Sequence, residues 1–147
     1  MDDKVKEMTY RLEHGLFAAI KGAAGAEEQD EYERYYDQVF HELDLLDEEL
    51  EKKRYIAGSD LTEADERLFD ELVRFDLIYY FAYRLNGHRI EDYPHLFRYA
   101  KEVYQRKDIH DKTDFEEIKR DFYLAQDDKE NPYHLVMNGP DMSRWEE

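Results

Sequence analysis

The stretch FDLIYYFAY, residues 75–83, constrains this chain more than any other. It continues a periodic segment, ERLFDELVR, and places apolar side chains on nearly every face of a helix. A helix that is hydrophobic all round belongs at the buried centre of a domain. Its start is spelled in GSDLTEAD, where Thr62 and Asp65 have the spacing of a capping box. Thr62 can cap the first turn while the Asp65 carboxylate reaches back to the Thr62 amide. Both are therefore structural residues. The apolar staple that often accompanies such a box is missing, because Glu66 stands four residues past Thr62. Gly87 follows the run and is predicted to stop the helix. A central helix of this kind must be surrounded, and the flanking segments are helical in pattern.

Val5, Met8, Leu12, Leu16 and Ala19 recur at three- and four-residue steps and predict a helix over about 3–20. GAAGAEEQ reads as the loop that ends it. Tyr32, Tyr36, Val39, Phe40, Leu43, Leu46 and Leu50 predict a second helix over about 28–53. After the central third helix, Pro94 suits the first turn of a fourth, which runs through Leu96, Tyr99, Ala100, Val103 and Tyr104. Thr113 and Glu116 have capping-box spacing and open a fifth, with Phe115, Ile118 and Phe122 on one face. The tail from about residue 130 is irregular and is predicted to pack across the bundle through Tyr133, Leu135, Val136 and Trp145. No βα alternation is present. The pattern specifies an all-α, five-helix bundle, one helical domain over residues 1–147.

Composition removes several functions. There is no cysteine, so disulfides, thiolate metal sites and a cysteine nucleophile are excluded. The formal charge of −17 opposes binding to nucleic acid and to anionic lipid, which both select Lys and Arg. The acids are dispersed along the chain, which fits a solvated surface suited to a salt-rich, halophilic-like cytoplasm; an acidic face for a basic partner is the alternative. No apolar run approaches membrane-spanning length, and MDDKVKEMTY has no signal-peptide core, so a cytoplasmic location is predicted.

The ordered segments RYIAGSDLTEAD, RLF, VRFD, IEDYPHLFRYAKEVYQ, DFEEIKRDFY and NPYHLVMNGP carry a resemblance. Together with LEHGLF near the N-terminus, they resemble the C-terminal helical domain of glutathione transferases. Within that superfamily they are most similar to the glutathionyl-hydroquinone reductases, the xi class. The resemblance covers about residues 10–140. It implies a two-domain enzyme in which a thioredoxin-like N-terminal domain binds glutathione and supplies a reactive cysteine. The helical domain would then wall the acceptor pocket, contribute tyrosine hydroxyls and form a homodimer. Two features depart from that pattern. The thioredoxin-like domain is absent from this sequence, and Phe17 and Phe122 stand where the family has pocket tyrosines. Tyr123 is adjacent to the second position.

Phe17, Tyr79, Tyr80, Phe122 and Tyr123 are accordingly the candidate pocket-lining residues. Tyr83 continues the central series, whose members cannot all face one way. Asp76, inside the apolar run, is a buried polar residue that needs an ion pair or backbone partners. Lys119 and Arg120 read as a solvated helix face. No catalytic residue, metal site or cofactor is assigned; Asp92 and His95 have a ligand-like spacing with no second copy. The expected function is a helical module, non-catalytic alone, that binds a protein partner or an apolar ligand. The alternative is the helical subunit of a split enzyme whose cysteine lies on a thioredoxin-like partner.

Overall fold

The computed structural model describes residues 2–147, and in it five helices surround the predicted central one. Helix α1 runs as Asp3–Leu12, a π-helical turn Glu13–Phe17, and Ala18–Ala24 without a break. Helix α2 is Gln29–Leu50. Helix α3 is Glu63–Arg74, continued by a π-helical turn Phe75–Tyr79 and by Tyr80–Ala82. A 3-10 turn, Ile90–Asp92, leads into α4, Pro94–Tyr104. Helix α5 is the short Lys107–His110 and α6 is Phe115–Ala125. A last 3-10 turn covers Ser143–Glu146. The fold is the all-α bundle the periodicity specified, with α5 added; four residues of KDIH are too short to show a period.

The centre of α3 is as dry as its composition requires. Leu68, Leu72, Val73, Phe75, Leu77 and Ile78 are all buried. They meet Leu43 and Leu46 of α2, Leu96 and Val103 of α4, and Leu16 and Ile20 of α1 in one continuous core.

Several boundaries differ from the sequence reading. Helix α1 continues through Gly22–Ala24, because Gly22 is an interface residue: a Cβ there would lie 2.4 Å from the Tyr35 ring. Helix α3 ends at Ala82, well before Gly87. The left-handed residue after it is Arg84, with φ 58°, whose carbonyl accepts from the Tyr32 hydroxyl at 2.5 Å. Gly87 is needed instead for close approach, since a Cβ would stand 2.5 Å from the Tyr36 hydroxyl. Helix α6 is capped by Asp114, which accepts from the Glu117 amide at 3.1 Å, while the Thr113 hydroxyl turns back to the Ile109 carbonyl.

Helix ends are closed across the bundle. Tyr93, at the N-cap of α4, offers no capping side chain, and Asp47 of α2 accepts from the His95 and Leu96 amides at 2.9 and 2.8 Å. Arg98 of α4 returns the bond by donating to the carbonyls of Leu50, the last residue of α2, and of Lys53 just beyond it. Such substitutes for local caps satisfy the orphan groups at helix termini.

The tail docks by a different device from the one predicted. Trp145 is fully buried, edge-on to Phe97 at 5.3 Å, but Tyr133 and Leu135 are exposed. Lys119 holds the segment down. It is buried, not solvated, and its ammonium donates to the carbonyls of Met137, Asn138 and Gly139 at 3.1–3.2 Å. Glu116 pairs with the same ammonium at 3.1 Å.

Candidate functional site: an aromatic face on helices α1, α3 and α6

The π-helical turn of α1 sets Phe17 against α3. A π turn inserts a residue into the helical register and re-aims the side chains beyond it. The Arg67 guanidinium of α3 lies over the Phe17 ring at 5.8 Å and pairs with Glu13. One helical turn on, Lys21 of α1 acts on the Glu71 carboxylate of α3. The Tyr79 phenol lies near the same carboxylate, and each acts on the other's titration. Burial pushes the Glu71 carboxyl above its ordinary value, against the opposing pull of Tyr79, Arg74 and Lys21. Burial, reinforced by Glu71, pushes the Tyr79 phenol well above its ordinary 10.

Tyr79 stacks on Tyr83 at 4.9 Å with an interplanar angle of 11°, and Tyr83 meets Phe122 of α6 edge-on at 5.9 Å. These rings are half-buried and form a continuous file. At its end Tyr83, Phe122, Ala24, Ala82 and Ala125 line a cavity of about 500 Å³. An aromatic wall with a phenol near a carboxylate can stack a planar ligand and offer it a polar contact. Tyr79 and Tyr83, both raised, stay protonated at neutral pH and act as donors rather than bases.

The candidates read from the sequence separate into two groups. Phe17, Tyr79 and Phe122 lie on or beside this face, with Phe17 against Arg67 and Phe122 against Tyr83. Tyr80 does not: it packs edge-on to Phe81, and its influence is felt by Tyr36 of α2. Tyr123 is buried under the tail, its hydroxyl 3.8 Å from the Met137 sulfur. Its neighbour therefore does not restore a hydroxyl at position 122. Glu71, Arg67 and Lys21 were missed. The four-residue steps Arg67 to Glu71 on α3 and Phe17 to Lys21 on α1 were the available signal.

Two buried carboxylates serve other elements. Asp65 accepts from the Ile56 amide, the Thr62 amide and the Tyr99 hydroxyl at 2.8, 2.8 and 2.7 Å. Asp76 caps the 3-10 turn, accepting from the Ile90 and Glu91 amides at 2.6 and 3.3 Å, with Arg89 at 3.9 Å. Burial pushes Asp76 up to about 7, more than those partners and Arg89 pull it down. Among the described residues no group of three His, Asp or Glu side chains gathers to hold a metal ion. Among the described residues no helix is long and apolar enough to cross a membrane.

Comparison with known proteins agrees with this architecture. Residues 29–102 match the family described as Glutathione S-transferase, C-terminal domain. The chain belongs to that family. Within it, the chain falls with the xi class and the glutathionyl-hydroquinone reductases. It is 31% identical over 140 residues to glutathionyl-hydroquinone reductase YqjG of Escherichia coli, covering 95% of this chain and 42% of that protein. A glutathione transferase from Gordonia bronchialis superposes with a TM-score of 0.89 at 34% identity, over 96% of this chain and 44% of that one. A xi-class glutathione transferase from Natrialba magadii gives 0.88 at 30% identity, over 95% of this chain and 42% of that one. The chain thus spans less than half the length of these relatives.

Proposed function

We propose that this unit is the acceptor-side half of a glutathionyl-hydroquinone-reductase-type enzyme, non-catalytic by itself. It docks a thioredoxin-like unit that bears the cysteine, and lends it the aromatic wall of the acceptor pocket. The carrying observation is the half-buried file Tyr79, Tyr83 and Phe122 beside the Glu71 carboxylate, on a chain with no thiol of its own. The named activity of the E. coli relative supports the reading. In this reading the unit works in the cytoplasm and pairs with a second copy through its helices.

A second reading is favoured by Phe17 and Phe122, which carry no hydroxyl at positions where the resemblance implies pocket tyrosines. The unit would then bind a protein partner or an apolar ligand without thiol chemistry. A chimera separates the two: this unit joined to the part of the E. coli relative that it does not match, assayed for glutathione-dependent reduction of a glutathionyl-hydroquinone. Turnover by the chimera and none by the helical unit alone supports the enzyme half. A folded chimera that binds glutathione and does not turn over favours the binding module.

A further inference from the structure

The first turns of α2 and the loop after α3 enclose a concave surface of about 460 Å³, lined by Tyr32, Glu33, Tyr36, Asp37 and Asn86. It shares no residue with the file of Tyr79, Tyr83 and Phe122. Tyr32 and Tyr36 are half-buried and one helical turn apart, with ring centroids 5.8 Å apart and planes at 61°. Both rings are pinned. The Tyr32 hydroxyl donates to the Arg84 carbonyl at 2.5 Å. The Tyr36 ring rests on Phe40 at 4.7 Å, with Gly87 packed against its hydroxyl. Side chains already fixed lose little further freedom when a ligand arrives. Glu33 and Asp37 are exposed and also one turn apart. The Glu33 carboxylate accepts from the neutral Gln29 side chain at 3.2 Å. Among the described residues no lysine or arginine lines this surface, so its two carboxylates are not neutralised from within it.

We propose that this surface binds a small organic cation, a quaternary or alkylated ammonium, between the two tyrosine rings and the two carboxylates. Such a group has an apolar shell that fits ring faces and a positive charge that their π-electrons attract. Glu33 and Asp37 add Coulomb attraction at the rim, and the field of a chain of net charge −17 concentrates cations around it. The volume has room for a ligand of this size. Other ligands fit less well. An anion meets Glu33 and Asp37. A bare divalent metal ion needs several oxygen ligands drawn together, and among the described residues no group of three His, Asp or Glu side chains gathers to hold one. A neutral ring gains from the tyrosines and leaves the carboxylates unused. The inference does not depend on the enzyme-half reading, because none of these residues belongs to the acceptor wall.

The test uses the full chain and choline, titrated at low ionic strength and followed by amide shifts. Its control is the uncharged isostere with carbon in place of nitrogen. Saturable shifts centred on residues 32–37 and 84–88 are expected, and the isostere should bind about tenfold more weakly. Since any cation is attracted to an acidic protein, the position of the lost charge decides. Glu33→Gln with Asp37→Asn is expected to weaken choline by about threefold or more. Glu48→Gln with Glu51→Gln makes the same charge change about 16 Å or more along α2, beyond a Debye length, and should leave binding within about 1.5-fold. Tyr36→Leu removes one ring and should weaken choline about two- to fivefold, with circular dichroism confirming its fold, while Tyr36→Phe keeps the ring and should bind like wild type. Shifts that spread over the whole acidic surface without saturating overturn the site. Equal binding of the isostere, equal weakening by the two carboxylate pairs, or Tyr36→Phe as weak as Tyr36→Leu does the same.

Discussion

Replacing Asp65 with alanine removes an acceptor shared by three parts of the chain. The Ile56 amide belongs to the loop after α2, the Thr62 amide to the N-cap of α3, and the Tyr99 hydroxyl to α4. Ile56, Asp65 and Tyr99 are completely buried, so water cannot replace the partner lost by the Ile56 amide and the Tyr99 hydroxyl; Thr62 is only half-buried. Each buried donor left unsatisfied costs about 1–3 kcal/mol. Two of them, together with the weakened cap of α3 and some relaxation of the loop, place the loss at roughly 3–6 kcal/mol. Against a total stability of about 5–15 kcal/mol, that is enough to populate unfolded chains at room temperature. Thr62→Ala, by contrast, should cost only the ordinary ~1 kcal/mol of an N-cap. Tyr99→Phe removes one donor and leaves the carboxylate its two amides, for a loss of about 1–1.5 kcal/mol. Urea titration followed by circular dichroism at constant ionic strength measures all three. If Asp65→Ala costs no more than Thr62→Ala, the carboxylate is a simple helix cap and the argument from the three-element junction is wrong.

Stability should fall as pH rises from about 4 through 7. The Asp76 carboxyl is raised from its ordinary 3.8 to about 7, so the folded state holds a proton that the unfolded state has released across that window. Urea midpoints at pH 5 and pH 8 should show this slope in the wild type and a flatter one in Asp76→Asn; parallel slopes refute it. Gly22→Ala should destabilise by about 1–3 kcal/mol despite alanine's higher helix propensity, because its Cβ meets the Tyr35 ring at 2.4 Å. Adding Tyr35→Ala should recover part of that loss in thermal melts. Lys119→Met should free the tail, since three carbonyls lose their buried donor. Limited proteolysis should then cut within residues 126–142 while α1–α4 stay protected, and an unchanged digestion pattern would contradict the latch.

The helices that were legible in the sequence owe this to local causes. FDLIYYFAY is apolar on nearly every face, which belongs at the centre of a helical bundle; Phe75–Ile78 are buried there, while Tyr79, Tyr80 and Tyr83 are half-buried and Phe81 is exposed. Thr62 and Asp65 lie three residues apart, which fixes their pairing before any tertiary contact forms. The absence of cysteine bounded the chemistry without any coordinates. The ordered segments from RYIAGSDLTEAD to NPYHLVMNGP were enough to place the family.

What remained hidden depends on residues far apart in the chain. Lys119 is spelled like a surface lysine, and only the return of residues 137–139 buries it. Asp47 caps a helix that begins almost fifty positions later, and Gly87 is needed for a neighbour's hydroxyl rather than for a turn. Glu71 joins the aromatic face because α1 brings Lys21 to it and the π turn of α3 aims Tyr79 back at it. Periodicity determines which side of a helix is apolar, because that follows from 3.6 residues per turn. Which polar group meets which, and therefore where the site is, was decided only when the helices packed, because those pairings are made across elements and leave no period in the sequence.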